Sequence, residues 1–341
     1  MTKRSKKIAT IKRSAGAALL AAMTWTGTAA HAQMPPSVSE PQGINLGGTS
    51  FFDGFSGMGP GWSYLGTLRY ANVDAIKNSS GNNIAAFNNP KISVVTLLNQ
   101  LAYTSSIRIG SASLSFNAVL PVVSLSGSFG QPGASLAGGG TAVGDLTVGP
   151  FLQFDPVMGP TGHPLYVQRL ALDTIVPTGQ YHRNADLNQS SGYYSLNPYW
   201  AASLFPAAGW EVSWRLHYLY NFKNTDPASS VPTAFQGGPV NNTQAGQAAW
   251  INFTTSYAVS HNLHVGINGY YFKQLGDDKV NGVSIAGSRE QVLGIGPGMM
   301  LEIEGQQGKK DALWLNAYTE TDVRNRPSSK YILQARYAHA F

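Results

Sequence analysis

The sequence predicts an all-β chain: a transmembrane up-and-down antiparallel β-barrel of about 12 strands, preceded by an irregular N-terminal leader. Three observations carry this prediction. Segments of roughly 10 to 14 residues with alternating polarity run from Trp62 to the C-terminus, long enough for the 9 to 11 residues of a tilted membrane strand. Long and short connections between them alternate, as external loops and periplasmic turns do in such barrels. Charged residues make up only 12% of the chain, yet beyond the first 32 residues no stretch is apolar enough for a spanning helix.

The first segment, residues 1–32, reads as a cleaved signal peptide. Lys3, Arg4, Lys6, Lys7, Lys12 and Arg13 make its start basic, Ala15 to Met23 form a short apolar run, and Ala30-His31-Ala32 supplies an A-x-A cleavage site. These six residues also produce the apparent basicity. No acidic residue precedes Glu40, so of the 23 basic and 17 acidic residues the mature chain keeps 17 of each. A nucleic-acid partner therefore has no support. The absence of cysteine excludes disulfides, thiolate metal sites, thiol catalysis and a lipoprotein anchor. Residues 33–61 follow as a Gly/Pro/Ser-rich leader without helical or strand periodicity.

Within 62–341, twelve strands are predicted: Ser63 to Val73, Ile92 to Thr104, Ile109 to Pro121, Val143 to Phe154, Pro164 to Val176, Leu196 to Leu204, Trp210 to Phe222, Gln247 to Val259, Leu263 to Leu275, Gln291 to Leu301, Ala312 to Asp322 and Lys330 to Phe341. The connections expected to be external include Ser124 to Ala142 and Val323 to Ser329; Ser105 to Arg108 is expected to be a periplasmic turn.

A soluble β-sandwich is the competing fold, and the strand faces argue against it. In the seventh strand Trp210, Val212, Trp214, Leu216, Tyr218 and Tyr220 share one face, while Glu211, Ser213, Arg215, His217 and Leu219 share the other. A one-residue slip would set Arg215 against hydrocarbon, at a cost of about 2 to 4 kcal/mol near the midplane. Thr67 and Arg69, then Arg169 and Asp173, then Ser113, Ser115 and Asn117, then Trp250, Asn252 and Thr254 fall on inner faces by the same alternation. The second and tenth strands do not discriminate. Trp62, Tyr64, Tyr103, Tyr199, Trp200, Trp210, Tyr220 and Tyr271 are expected in the interfacial girdles.

Catalytic signatures are missing: there is no G-x-S-x-G, Walker A loop or H-E-x-x-H. Gly294-Ile295-Gly296-Pro297-Gly298 lacks the strand-to-helix context of a nucleotide loop and reads as a bend or close contact. The histidines have no metal-ligand spacing. A membrane-embedded Ser-His-Asn esterase would need only spatial proximity, but nothing in the sequence points to one. Neither an enzyme nor a cofactor is expected.

The lumen candidates are Arg69, Arg169, Asp173, Glu211, Arg215, His217, Glu320 and Arg336. They read either as a salt-bridged network that fills a narrow barrel, or as residues that line a solute path or hold an inner plug. Twelve strands about 4.8 Å apart and tilted about 40° enclose a backbone diameter of about 24 Å. That admits a small solute or the leader, whose Phe51, Phe52 and Phe55 could offer an apolar solute a dry pocket.

The run Leu172 to Trp200 resembles the outer-membrane protein family associated with the meta-pathway of phenol degradation, with Pro177, Gly179, Tyr181, Asn188, Gly192 and Pro198 in the family's places. The Gly57 to Trp62 run and the final aromatic strand ending at Phe341 are similar too. The terminal Phe341 also resembles the signal read by the outer-membrane assembly machinery, with His339 departing from its usual apolar residue. The resemblance implies a transporter of aromatic or other hydrophobic small molecules. The expectation is thus a monomeric, porin-like passive channel in the Gram-negative outer membrane, surrounded by lipid. The alternative is a non-conducting structural or adhesive barrel that binds a partner through its external loops.

Overall fold

The structure, a computed structural model, describes residues 38, 40, 41, 44, 46–56, 59–228, 234–304 and 310–341. The segment expected to be a signal peptide, residues 1–32, lies outside the described residues. Twelve long strands form the wall: β1 (Gly61–Ile76), β2 (Lys91–Ile109), β3 (Ala112–Ser128), β4 (Leu146–Phe154), β5 (Pro164–Val176), β6 (Ser195–Leu204), β7 (Trp210–Asn221), β8 (Ala248–Ala258), β9 (Leu263–Gln274), β10 (Gln291–Glu304), β11 (Lys310–Arg324) and β12 (Pro327–Ala340). Each pairs antiparallel with its sequence neighbours, and β1 pairs with β12 from Ser63↔Ala340 to Ile76↔Pro327. The sheet is therefore a closed barrel with no free edge, the only sheet form that satisfies every backbone group in hydrocarbon.

The alternation in the sequence becomes the two faces of this wall. Leu68 and Leu216 stand about half exposed on the outside (50% and 47%), with Leu97, Phe116, Leu170, Leu172, Ile267, Leu315 and Leu333 forming the same apolar band. Thr67, Ser115, Asn117, Ser213, His217, Asn252, Thr254, Asn268 and Asn316 are buried inside. The second and tenth strands also resolve. Thr96, Ala102 and Thr104 point inward, opposite Leu97, Leu101 and Tyr103, and β10 turns Val292 and Met300 inward, with Ile295 and Met299 outward.

Three expectations are corrected. The turn placed at Ser105 to Arg108 lies inside β2; the chain reverses around Gly110, at φ +60. Arg108 holds this protruding hairpin, donating to Ser113 Oγ at 2.8 Å and pairing with Asp155. The connection expected from Val323 to Ser329 shrinks to Asn325-Arg326, with Asn325 at φ +52, so long and short connections do not alternate without exception. Here side chains tie the strand ends together: Ser329 N donates to Glu320, and Asn325 Nδ2 to the carbonyls of Gly287 and Arg289. Thirdly, the Ser124 to Ala142 segment is not all connection, because its first residues, to Ser128, belong to β3. Gly140–Val143 folds back as a short strand on β3, and Leu136 packs with Val73, Ile76, Phe87 and Ile92 in an apolar cluster above the external rim.

The glycines of β10 are a close contact, as their setting suggested. A Cβ on Gly296 would stand 1.9 Å from the Ala317 carbonyl, and one on Gly294 2.2 Å from the Tyr270 ring. These small residues let Tyr270 lie flat along the inner wall.

Candidate functional site

The leader threads the lumen from rim to rim. Among the described residues its backbone is irregular and forms no ladder; a few N–H groups, such as those of Leu46 and Phe55, bond within the leader, and the others need partners elsewhere. The inner faces of the strands supply them. Near the external end, Val38 N donates to Asp278 Oδ2 at 2.8 Å. At mid-depth, Gly47 N donates to Asn252 Oδ1 at 2.9 Å, and the Gly47 carbonyl accepts from Tyr318 Oη at 2.8 Å and Gln334 Nε2 at 3.0 Å. Ser50 Oγ lies 3.0 Å from Asn268 Oδ1 and 3.3 Å from Asn316 Oδ1. Towards the periplasmic end, the N–H groups of Phe52, Asp53 and Gly54 donate in turn to Glu211, Ser213 and Ser203. The first wall strand, β1, begins at Gly61.

Asp53 is the charged centre of this contact. Its carboxylate takes a two-pronged grip from Arg215, Nε to Oδ2 at 2.8 Å and Nη2 to Oδ1 at 2.5 Å, in a fork geometry that favours strong pairing. Their side chains keep only 4% and 12% of their exposure. Arg169 clamps the backbone beside it, reaching the Asp53 and Phe55 carbonyls at 3.3 Å each. Arg336, from across the barrel, also feels the Asp53 charge, and stacks its guanidinium 5.2 Å over Trp314.

The eight lumen candidates all lie on the inner face, in separate groups. Arg169, Asp173, Arg215 and His217 gather on β5 and β7. Asp173 accepts from Asn117 Nδ2 at 3.0 Å; His217 Nδ1 lies 3.0 Å from Asn197 Oδ1, and its ring stacks on Trp250 at 4.1 Å. Glu211 sits one layer nearer the periplasm, accepting from Phe52 N and from Ser256 Oγ at 2.9 Å. Arg336 joins this group electrostatically, through Arg169, Arg215 and Asp53. Arg69 and Glu320 are apart, converging on Tyr270, whose hydroxyl donates to Glu320 at 2.7 Å.

The three leader phenylalanines divide. Phe51 is fully buried; Phe52, at φ +63, packs 5.6 Å from Phe205 and 4.8 Å from His264, and Phe55 lies 6.1 Å from Phe205. Phe52 and Phe55 thus meet the periplasmic turn after β6. Tyr199, placed among the girdle aromatics, is instead buried inside. It shares the inner alternation of Asn197 and Ala201, and Arg215 stands 4.8 Å over its ring.

Five of the six family-motif residues build the external connection between β5 and β6, and Pro198 lies in β6 itself. Gly179 approaches the Gly144 backbone so closely that a Cβ would fall 2.5 Å from its carbonyl carbon. Gly192 adopts φ +75 against the Tyr181 ring, Asn188 accepts from His182 N at 2.7 Å, and Tyr181 Oη donates to the Asp226 carbonyl. Pro177 follows the end of β5, and Pro198 sits exposed on β6. None of these reaches the arginine group. The organiser that the sequence did not reveal is Asp145, which accepts from Gly179 N at 3.2 Å and from both Ser191 N and Oγ at 2.8 Å.

A second buried charge group closes the external end. Glu40 of the leader accepts from Asn221 Nδ2 at 2.7 Å, while its other oxygen has no partner. Burial, with Glu290 and Asp278 nearby, raises its carboxyl well above the usual range. Burial likewise pushes Asp278 and Glu290 up to about 7, and Arg326, 3.4 Å from Glu290, opposes this.

The family profile described as "Putative MetA-pathway of phenol degradation" matches residues 73–337. No curated protein matches the chain. Among solved structures, an outer membrane channel from Pseudomonas putida F1 superposes with TM-score 0.68 at 16% identity, over 89% of this chain and 100% of that one. The translocator domain of the autotransporter NalP from Neisseria meningitidis reaches 0.43 at 12% identity, over 84% and 91%. A Pseudomonas aeruginosa FadL homologue reaches 0.41 at 9%, over 89% and 99%. The first likeness is one of fold: this barrel is of the type found in Gram-negative outer-membrane channels.

Proposed function

We propose that this chain, which belongs to the phenol-degradation family whose profile it matches, is a monomeric passive channel for a small hydrophobic or aromatic compound, with residues 33–61 as its plug and gate. It is delivered by a cleaved signal peptide and seated in outer-membrane lipid by the assembly machinery that reads its last strand.

One observation carries the proposal. The lumen holds an irregular stretch of chain fixed through side-chain hydrogen bonds, with no strand pairing between leader and wall among the described residues. An inert barrel has no need of a removable filling, and an interior of buried polar groups is expensive unless every group is satisfied. A leader that pairs with part of those groups, among them Asn252, Glu211, Ser213 and Ser203, and can exchange with water fits a pore that opens. Phe52, Phe55 and Phe205 place aromatic side chains at its inner mouth, and partly buried Ile84 and Phe129 pack against the buried Leu136 cluster at its outer rim. Both suit an aromatic passenger.

The test is uptake into liposomes holding the refolded mature protein, comparing a labelled aromatic compound with a sugar of equal size, with and without residues 34–61. Aromatic-selective uptake that increases without the leader is expected. If neither solute enters even then, the channel fails and a non-conducting barrel is the better account.

A further inference from the structure

We propose that the arginine group around Asp53 is a binding site for an aromatic carboxylate, and that Asp53 occupies it as a built-in competitor. The proposal rests on the leader leaving the lumen and names the class of aromatic compound the channel takes.

A carboxylate is already bound there, and its partners belong to the wall. Arg215 grips both oxygens of Asp53 and Arg169 holds the adjoining backbone, while Arg336 faces the same charge. When the leader withdraws, Asp53 goes with it. Three guanidinium groups then face water, with Asp173 the acid beside Arg169 and Arg215, leaving positive charge in excess. Donors are in excess as well: Arg169 Nε and Arg336 Nε, both on buried residues, have no partner even with the leader docked. A planar fork that has lost its carboxylate is a ready receptor for another.

The surroundings specify what the carboxylate is attached to. Arg169 stands 5.5 Å over the Phe151 ring and 5.6 Å over Tyr199, which Arg215 approaches at 4.8 Å. His217 lies 5.1 Å from Tyr199 and stacks on Trp250. A ring attached to the carboxylate would meet a wall of aromatic faces on β4, β6, β7 and β8. A small aliphatic acid would leave that wall unused, and a neutral aromatic would leave the arginines unpaired. Leaving buried polar groups unpaired is the stronger source of discrimination.

The experiment is calorimetric titration of the full mature chain, folded in detergent micelles, with benzoate, benzyl alcohol and acetate. Asp53→Ala is the informative variant, because it removes the competing carboxylate from the leader and leaves the barrel wall unaltered. Benzoate is expected to bind Asp53→Ala at least about tenfold more tightly than it binds the wild type, with benzyl alcohol unchanged and acetate weaker than benzoate. The gain should vanish when Arg215→Gln is added, with folding of the double variant verified by heat-modifiable gel mobility. The proposal is overturned if benzoate binds Asp53→Ala no better than wild type, or no better than benzyl alcohol. Binding in micelles does not depend on conduction. Absent liposome uptake with intact benzoate binding would therefore sink the channel alone, and neutral-aromatic uptake without benzoate binding would sink this site alone.

Discussion

Replacing Gly47 by alanine is expected to drive the leader out of the lumen while leaving the barrel intact. Gly47 sits at φ +67, where an L-residue pays about 1 to 2 kcal/mol. The new Cβ would also stand 2.7 Å from Tyr270 Cδ1 and 3.1 Å from Tyr318 Cζ, inside contact distance of two buried rings. Forcing such a group into a packed site costs about 1 to 3 kcal/mol. Moving Tyr318 aside would further weaken its hydrogen bond to the Gly47 carbonyl. Taking about 3 kcal/mol in all, the ratio of docked to undocked leader falls by about two orders of magnitude. Single-channel recording in planar bilayers reads this as the ratio of closed to open time. A folded Gly47→Ala protein whose ratio stays within about threefold of wild type would refute the reasoning, for the leader would then not be held where it is packed.

The external acid group predicts a pH response. Glu40, Asp278 and Glu290 have carboxyls raised by burial in the docked state, the last two to about 7, against ordinary values of 3.8 to 4.5. Their docked state holds more protons, so docking is strongest below about pH 4 and weakens as pH rises through about 7. Open time should therefore grow across that window, partly offset by Arg326, and Glu40→Gln should flatten the profile; open time that falls with rising pH would contradict the assignment. Gly296→Val places carbon atoms against the Ala317 carbonyl, 1.9 Å from the ideal Cβ, and should prevent β10 and β11 from pairing. The expected result is loss of the heat-modifiable folded band. Leu216→Arg sets a charge on the lipid face and should cost about 2 to 4 kcal/mol in refolding into vesicles. An unchanged unfolding midpoint would mean that this face meets water.

Most of the wall was legible because its cause is local. A strand between lipid and a polar lumen must alternate, so the sequence alone places Arg215 and His217 inward and Leu216 and Tyr218 outward, and it yields Pro164–Val176 with the bounds the structure has. Tyr199 was misplaced because an aromatic near a strand end has two homes, and only its register beside Asn197 and Ala201 chooses the lumen. The two-residue turn at Asn325-Arg326 was hidden because Asn325 hydrogen-bonds to carbonyls of the neighbouring β9–β10 connection, as a loop residue would to water. Asp53 is the clearest loss. Within Phe51-Phe52-Asp53-Gly54-Phe55 it looks like a solvated loop acid, and its partner lies 162 positions away. Long-range pairing of an irregular segment leaves no periodic trace.

The same contrast bears on which part moves. Opening a strand pair would leave N–H and C=O groups unpaired in hydrocarbon, at several kcal/mol each. The leader's bonds are of another kind. Asn252, Ser213, Ser203 and Glu211 hold its N–H groups inside a polar lumen, where water can replace each partner, so the net worth of each is about 0.5 to 1.5 kcal/mol. Phe51 adds burial, worth about 1.5 to 3 kcal/mol, and the Asp53 ion pair loses strength as water enters. The polar interior that reads in the sequence as a charge network therefore lowers the cost of undocking without lowering the stability of the wall. This favours gating by exchange of the leader for water or solute over any deformation of the barrel.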